Sequence, residues 1–249
     1  MEKKVIVITG ASSGIGRSCA IYFIEKGHYV VGLDVNEAAL DAVNVEDQFT
    51  FMKCDVSKEA EVKKCIGTTI EKYGDLDILV NSAGIQRYST VTETTEEEWD
   101  LVMNVNLKSA FLCAKHAIPS MQKKGQGVVV NVSSVQAYIT QHRVAPYSTS
   151  KTAMLGLTRS IAVDYAPEIR CVAICPGSVD TAMLQVAFDQ AEDRDKTYNE
   201  VVDMHLMKRI CPPSEVAALI GFLSGDDAGS ITGQSFRIDG GIGISIPGN

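Results

Sequence analysis

Short apolar runs alternate with longer amphipathic segments along most of the chain. Strands are predicted where aliphatic and β-branched residues cluster, at 3–9, 29–33, 49–53, 76–80, 127–132, 169–175 and 235–238. Helices are predicted between them, at 14–26, 58–73, 96–123, 148–165 and 213–223. The third of these is expected to break near 104–106 or at Pro119. This alternation predicts an α/β fold, a doubly wound seven-stranded parallel sheet with helices on both faces.

One segment, 183–207, does not follow the pattern. It is polar, weakly periodic and long, so we expect a mobile insertion beside a site. No linker rich in Pro, Gly or Ser divides the chain, and no internal repeat occurs. Residues 1–249 are therefore predicted to form a single domain.

The composition narrows the classes of protein that fit. The chain has 249 residues, 45% of them hydrophobic and 22% charged, which excludes an extended disordered protein. A formal net charge of -8 argues against a general nucleic-acid binder. No apolar run reaches the ~18 residues of a membrane span. No apolar stretch precedes a small-residue cleavage site, so a cytoplasmic location is expected.

Cysteine and histidine give no metal or disulfide pattern. The seven cysteines are an odd number and include no C-x-x-C, so neither a disulfide framework nor a zinc site is predicted. The four histidines show no ligand spacing. We therefore expect free buried thiols and no metal.

The first predicted strand runs into a glycine-rich turn at 9–16, T-G-A-S-S-G-I-G. Gly10 would permit the tight turn, Gly14 would let the backbone approach a pyrophosphate, and Gly16 would let the next helix pack closely. Backbone N–H groups at the start of that helix would bind phosphate. A phosphate-binding loop of the Gly-Lys-Ser/Thr type is excluded, because that tripeptide does not follow.

The second predicted strand ends at Asp34, which lies 18 residues after Gly16. This is close to the ~20 expected for an acid that binds the adenosine ribose. Its carboxylate would repel a 2′-phosphate, and no Arg or Lys directly follows, so NAD is favoured over NADP. An alternative is a charge at a helix N-terminus, a role that Asn36 and Glu37 could share.

A third group of residues could move a proton. On a helix, Tyr147 and Lys151 would share a face, and an ammonium beside a phenol lowers the pKa of the phenol. Ser134 follows the predicted strand 127–132, and strand C-termini line the ligand crevice of open α/β sheets. Its hydroxyl could bond the same substrate oxygen as Tyr147.

Together these residues resemble the short-chain dehydrogenase/reductase family, over nearly the whole chain. The family's motifs occur in order: T-G-x-x-x-G-x-G at 9–16, C-D-V at 54–56, N-S-A-G at 81–84, N-V-N-L at 104–107, P-G-x-x-x-T at 176–181, I-T-G at 231–233 and D-G-G at 239–241. Ser82 replaces the second Asn of the family's N-N-A-G. The resemblance implies a single-domain Rossmann fold and an NAD(P)-dependent oxidoreductase acting on CH–OH groups.

The resemblance also implies roles for individual residues. Tyr147 is the general base in oxidation, Ser134 holds the reacting oxygen, Lys151 binds the nicotinamide ribose, and Asn106 holds a water that relays the proton. The backbone of Val179 and the hydroxyl of Thr181 hold the nicotinamide carboxamide. The full set of implied cofactor-binding residues is Gly10, Ser12, Ser13, Gly14, Ile15, Gly16, Asp34, Asp55, Val56, Asn81, Ala83, Gly84, Tyr147, Lys151, Pro176, Gly177, Val179 and Thr181.

The predicted substrate-binding residues are Gln86, Gln136, His142, Ser134 and Tyr147. Amides can both donate to and accept from hydroxyls, so a hydroxyl-rich small molecule is favoured, although solvent-facing loop residues remain an alternative. The segments 133–137 and 164–171 resemble aldose 1-dehydrogenases, which oxidise the anomeric carbon of a sugar to a lactone. Alternatives are a 3-oxoacyl-[acyl-carrier-protein] reductase, another alcohol or polyol dehydrogenase, and a non-catalytic NAD-binding regulator.

The resemblance further implies a homotetramer. Helices around 107–123 and 148–165 would pair across one interface and the C-terminal region across another. The apolar, glycine-rich tail 242–249 could pack on a neighbouring subunit or be disordered.

Overall fold

The computed structural model of the chain describes residues 3–37 and 48–244. The end of the tail predicted at 242–249, from residue 245 onward, lies outside these described residues. Seven strands of the described part form one parallel sheet in the order β3-β2-β1-β4-β5-β6-β7. The strands are β1 (Val5–Thr9), β2 (Tyr29–Asp34), β3 (Phe49–Lys53), β4 (Ile78–Asn81), β5 (Gly127–Val132), β6 (Ile169–Pro176) and β7 (Ser235–Ile238). The predicted Rossmann fold is confirmed.

Helices cover both faces of the sheet. They are α1 (Gly14–Glu25), α2 (Glu59–Tyr73), α3 (Glu96–Met103), α4 (Ser109–Lys124), α5 (Ala145–Tyr165), α6 (Ala182–Asp189), α7 (Arg194–Met204) and α8 (Pro213–Ser224). Apolar side chains of α1 and α8 pack on one face, and those of α2, α4 and α5 pack on the other. Because both faces are covered, the central strands are buried along their whole length and consist of a continuous apolar run that ends in one polar residue, Thr9 in β1 and Asn81 in β4.

The order of the strands places the site. The chain leaves β1 in one direction toward β2 and returns on its other side as β4. Helices attached to neighbouring strands therefore diverge at this point, which opens a crevice at the carboxyl ends of β1 and β4. The glycine-rich turn follows β1, and the residues after β4 and β5 lie beside it.

Two helix predictions need correction, and the break predicted within 96–123 is resolved. The helix predicted at 148–165 begins at Ala145, because Pro146 fits the first turn, where its missing N–H is not needed. The break predicted near 104–106 is a π turn (Asn104–Lys108) between α3 and α4, whereas the alternative break at Pro119 is wrong, because Pro119 lies within α4 without ending it. The insertion predicted at 183–207 contains most of α6 and all of α7.

Several described features bear on the predicted class of protein. All seven cysteines are free and buried. Across residues 3–37 and 48–244, no helix has the length and apolar character needed to cross a bilayer. The same ranges hold no group of three or more His, Cys, Asp or Glu side chains placed to bind a metal ion.

Candidate active site

A cavity of about 1730 Å³ occupies the crevice at the carboxyl ends of the strands. At one end it is lined by the glycine-rich turn and Asp34, and at the other by α6 and α7. Ser134, Tyr147 and Lys151 also line this cavity. The structure therefore brings the three chemically distinct groups of predicted residues to one cavity.

The glycines of the turn are required by positive φ angles and by the close approach of neighbouring atoms. Gly10 and Gly14 have positive φ angles of 68° and 51°. A Cβ on Gly10 would lie 2.9 Å from the Cα of Ala83, and one on Gly14 would lie 3.0 Å from Cγ2 of Thr181. A Cβ on Gly16 would lie 2.1 Å from the carbonyl oxygen of Gly10. Gly16 does not line the cavity but lets α1 pack against the turn, as predicted.

Asp34 fastens this turn to the end of β2. Its Oδ2 accepts a hydrogen bond from the Ser12 N–H at 3.0 Å, and its Oδ1 accepts one from the Asn36 N–H at 3.0 Å. Ser12 and Asn36 are linked again through the Ser12 hydroxyl, which donates to the Asn36 carbonyl. Each carboxylate oxygen keeps further lone pairs, so Asp34 can still accept hydrogen bonds from a ligand in the cavity.

The cavity wall beyond β3 contains Asp55 and Val56, two of the predicted cofactor-binding residues. Cys54 donates its N–H to the carbonyl of Asp34 at 2.8 Å, which ties this segment to β2. The Oδ1 of Asp55 accepts hydrogen bonds from the N–H and the hydroxyl of Ser57. Asp55 and Val56 both line the cavity.

Thr9 positions the segment that follows β4. Its hydroxyl oxygen accepts hydrogen bonds from the N–H groups of Ser82 and Ala83, each at 3.0 Å. Ala83 and Gly84 consequently line the cavity. Asn81 does not, because its buried side chain lies in the sheet, where Nδ2 donates to Oδ1 of Asn131 at 2.8 Å. The structure thus gives Asn81 a place in the core and no contact with the cavity.

Ser134 and Tyr147 form a buried pair on the cavity wall. The Ser134 hydroxyl oxygen caps a short helical turn by accepting the N–H of Gln136 at 3.1 Å. The same hydroxyl lies near the Tyr147 phenol and favours the charged form of the phenol. Burial has the larger effect and raises the pKa of Tyr147 to about 12. The phenol is therefore protonated at neutral pH in this structure.

Lys151 lies one helical turn beyond Tyr147, with Nζ 5.6 Å from the centre of the phenol ring. Its Nζ donates to the carbonyl of Val132 at 2.9 Å. Burial lowers the pKa of Lys151 to about 8. The sequence predicts that Lys151 lowers the pKa of Tyr147, yet in the structure the burial of Tyr147 outweighs any such lowering.

Asn106 lies in the π turn between α3 and α4, fully buried. Its Oδ1 accepts the N–H of Ile85 at 2.8 Å, and its Nδ2 donates to the Ile85 carbonyl at 2.9 Å and to the Ser150 hydroxyl at 3.1 Å. The side chain thus holds both the N–H and the carbonyl of Ile85. A Cβ on Gly84 would lie 3.5 Å from Asn106 Oδ1 and 3.4 Å from Lys151 Nζ, so these groups converge beside Gly84. The water relay stays a prediction.

The loop after β6 closes the middle of the cavity. Gly177 donates its N–H to the carbonyl of Ile238 at 3.1 Å, and Asp180 donates to the carbonyl of Cys211 at 2.9 Å. Pro176, Gly177, Val179 and Thr181 all line the cavity. Residues 176–181, which are predicted to hold the nicotinamide, are called the nicotinamide loop below.

The predicted substrate residues divide into two groups. Gln86 and Gln136 line the cavity, and Oε1 of Gln136 is buried without a hydrogen-bond partner. His142 is exposed and is absent from the cavity wall, so the structure does not bring it to the site.

The insertion 183–207 is predicted to lie beside a site, and α6 and α7 do line the substrate end of the cavity. The individual residues that form this wall were not predicted. Tyr88 belongs to this wall, and so does one face of α7, made by Thr197, Glu200, Val201 and Met204. These four positions, i, i+3, i+4 and i+7, share one face of the helix, but two of them are polar, so hydrophobic periodicity does not reveal α7 in the sequence. His205, buried directly after α7, was also missed.

Comparisons with known proteins agree with this geometry. A family model described as enoyl-(acyl carrier protein) reductase matches residues 10–243. The chain belongs to the short-chain dehydrogenase/reductase family. Among solved structures, this family member is similar to an aldohexose dehydrogenase of Thermoplasma acidophilum, with a TM-score of 0.93, 37% identity, and coverage of 100% of this chain and 97% of that one.

Two curated relatives show how varied the family is. A 2-(R)-hydroxypropyl-CoM dehydrogenase of Xanthobacter autotrophicus is 38% identical over 95% of this chain and 97% of the relative. A 3-oxoacyl-[acyl-carrier-protein] reductase of Thermotoga maritima is 35% identical over 98% and 99%. This chain is thus a short-chain dehydrogenase/reductase whose relatives act on chemically different substrates.

Proposed function

We propose that the protein is an NAD-dependent dehydrogenase that oxidises a CH–OH group of a small hydroxyl-rich molecule. The observation that carries this proposal is the placement of the buried Ser134–Tyr147 pair and Lys151 in the same cavity as the glycine-rich turn. A non-catalytic NAD-binding regulator would have no need of a buried serine, tyrosine and lysine together on the cavity wall.

The residues at the turn fit a dinucleotide. A Cβ at Gly10 or Gly14 would occupy space against Ala83 or Thr181, so the turn presents bare backbone to the cavity. Backbone N–H groups at the start of α1 would bind the pyrophosphate, where the helix dipole favours negative charge. Val179 and Thr181 would hold the nicotinamide carboxamide.

The charge around Asp34 supports NAD over NADP. Asp34 lines the cavity, and the sequence from Gly27 to Met52 contains no Lys or Arg that could neutralise a 2′-phosphate. A phosphate placed beside this carboxylate would meet like charge. The two adenosine ribose hydroxyls could instead donate to its oxygens.

The chain's own residues would handle the proton. Tyr147 would accept the proton of the substrate hydroxyl, while Ser134 would hold the reacting oxygen by a hydrogen bond. Lys151, when protonated, would stabilise the phenolate that Tyr147 must become before it can act as a base. NAD, when bound, supplies the hydride acceptor.

The substrate proposed first is an aldose, oxidised at C1 to its lactone. Gln86 and Gln136 offer amides to sugar hydroxyls, and the unpartnered Oε1 of Gln136 would gain a donor from one of them. The similarity to an aldohexose dehydrogenase supports this choice. A 3-oxoacyl-[acyl-carrier-protein] reductase is the second candidate, favoured by apolar residues at the cavity mouth such as Met204 and Leu206, 50% and 55% exposed.

A dehydrogenase screen tests the reaction and the substrate together. Purified protein is assayed with NAD and NADP against aldoses, polyols and other secondary alcohols, and with NADH and NADPH against 3-oxoacyl thioesters. Reduction of NAD by aldoses alone is expected. Activity confined to 3-oxoacyl thioesters would replace the first candidate by the second, and binding of NAD with no turnover on any substrate would favour the regulator.

A pair of variants tests the role of Asp34. Asp34→Ser removes the carboxylate, so the preference for NAD over NADP in kcat/KM should fall at least about tenfold, as expected for losing charge-assisted hydrogen bonds. Glu37→Ser removes a neighbouring exposed carboxylate and is the matched control. An equal effect of both variants would show that general negative charge, and not a contact with Asp34, selects NAD.

We also propose a homotetramer in a reducing compartment such as the cytoplasm. The helices expected to form interfaces carry exposed apolar side chains, namely Phe111 on α4, Val163 on α5 and Phe222 on α8. Burial of such side chains between subunits would stabilise association. Free thiols at all seven cysteines suit a reducing compartment.

A further inference from the structure

His205 is a fully buried histidine between the substrate end and the nicotinamide loop. It follows the last residue of α7 and is 1% exposed. Its Nδ1 lies 2.7 Å from the carbonyl oxygen of Val201. Since a carbonyl only accepts, Nδ1 carries the proton, and Nε2 is left as an acceptor in the neutral ring. Nε2 receives the N–H of Ser178 at 3.2 Å.

The imidazole ring fills a space that two glycines leave open. A Cβ on Gly177 would lie 3.0 Å from Nε2, and a Cβ on Gly240 would lie 3.1 Å from Cδ2. Met207, two residues later, donates its N–H to the carbonyl of Gly240 at 3.1 Å. The ring is therefore held between the nicotinamide loop, the end of α7 and the turn that follows β7.

Two of these three segments contribute residues to the wall of the cavity. Gly177, Ser178 and Val179 belong to the nicotinamide loop, while Val201 and the residues just before and after His205 form the substrate wall. The two hydrogen bonds of His205 reach one residue in each wall, Ser178 and Val201. Through one rigid ring, the position of the loop is tied to the position of α7.

We propose that His205 is a positioning residue that holds the nicotinamide loop in register with the α7 wall of the substrate cavity. This inference rests on the proposed use of a nicotinamide cofactor by the same cavity. His205 is absent from the cavity lining, so it acts through the peptide N–H of Ser178. Small displacements of a group that orients a reactant can slow a reaction substantially, because the reacting atoms must lie close together and aligned.

Two amide variants separate the two hydrogen bonds. His205→Gln places an amide oxygen near the position of Nε2, so it can still accept from Ser178 but loses the donor to Val201. His205→Asn places an amide nitrogen near Nδ1, so it can still donate to Val201 but loses the acceptor for Ser178. His28 lies before β2, at the amino end of the sheet, and its Nδ1 accepts the N–H of Lys4 at 3.2 Å. His28→Asn and His28→Gln are therefore matched controls for replacing a hydrogen-bonded histidine.

Amide hydrogen exchange of Ser178 tests the contact without cofactor or substrate. We expect exchange at Ser178 to be about tenfold faster in His205→Asn, the ratio expected for loss of one buried hydrogen bond, and within about threefold of the original protein in His205→Gln. Neither His28 variant should change it. Equal exchange at Ser178 in both His205 variants would overturn the proposal.

Steady-state kinetics then tests the positioning role. His205→Asn should lower kcat about tenfold or more with a smaller change in the Kd of NADH, because the adenosine half is held elsewhere in the cavity. His205→Gln should restore most of kcat. A merely structural role would lower the melting temperature of both variants alike and leave kcat per folded molecule unchanged, which would refute the inference. Absence of any turnover in the original protein would count against the proposed function alone, since the Ser178 exchange result would stand.

Discussion

Replacing Gly16 by Ala tests whether the close approach of α1 to the glycine-rich turn makes the dinucleotide site. Gly16 lies inside α1, where alanine is intrinsically favoured over glycine by about 1 kcal/mol. A Cβ at this position would, however, lie 2.1 Å from the carbonyl oxygen of Gly10 and 2.7 Å from its carbonyl carbon. The sign of the effect depends on which of these two contributions is larger.

The geometry favours a loss of stability. Ordinary contact begins at 3.4 Å, so the Gly10 carbonyl and α1 must separate by about 1.3 Å, the difference from 2.1 Å. The obstructing atoms belong to the backbone, which cannot rotate away as a flexible side chain can. Overpacking of this kind costs about 1–3 kcal/mol, more than alanine's helix propensity returns. The displaced turn would also misplace the N–H groups proposed to bind pyrophosphate.

Thermal unfolding and NADH binding measure both consequences. Gly16→Ala should lower the melting temperature, by about 2–4 °C per kcal/mol in a chain of this size, and raise the Kd of NADH about tenfold or more. Gly67→Ala is the matched control, because Gly67 lies within α2 and no atom lies within 4 Å of its added Cβ. That control should be stabilised by about 0.5–1 kcal/mol. If Gly16→Ala matched Gly67→Ala in both measurements, the packing argument would be refuted.

Three further variants test the remaining proposals. Tyr147→Phe should bind NADH as the original protein does, and its kcat should fall about 10²–10⁴-fold. Near-normal turnover would refute the proposed role of Tyr147 as the base. Lys151→Met should be more stable than the original protein at pH 7. Burial lowers the pKa of Lys151 from 10.5 to about 8, which corresponds to a cost of roughly 3 kcal/mol for burying the charged ammonium. This cost exceeds the ~1 kcal/mol contributed by the hydrogen bond of Lys151 to Val132. Between about pH 8 and pH 10.5 the unfolded chain binds more protons than the folded chain. Urea unfolding should therefore show that the original protein gains stability relative to the variant as the pH rises through this range. A difference in stability that does not change with pH would contradict this. Val163→Asp should reduce the mass measured by light scattering below that of a tetramer, and an unchanged mass would exclude this face of α5 as an interface.

Much of the fold can be predicted from the sequence because both faces of the sheet are covered. A strand buried on both faces needs a continuous apolar run, and such runs stand out in the central strands β1, β4 and β5. Helix boundaries are harder to predict, because they depend on backbone geometry and on contacts with distant parts of the chain. The first turn of α5 takes in Pro146 and with it Tyr147, and the π turn around Asn106 is fixed by hydrogen bonds to Ile85, 21 residues away along the chain.

Some features of the candidate site can be predicted from the sequence, and others depend on the folded structure. The structural roles of the glycines at 10, 14 and 16 can be predicted, because the sequence shows where a Cβ is missing and the turn explains why it must be missing. The pKa of Tyr147 could not be predicted, because the i, i+4 spacing to Lys151 shows a nearby charge but not the burial that outweighs it.

His205 illustrates the remaining limit. Its two partners, Val201 and Ser178, lie four residues and 27 residues away, so only the first contact follows from helical spacing. The second contact depends on how α7 returns to the sheet. Residues that connect two walls of a cavity therefore become visible only when both walls are in place, whereas residues that face the ligand can be recognised by their chemistry.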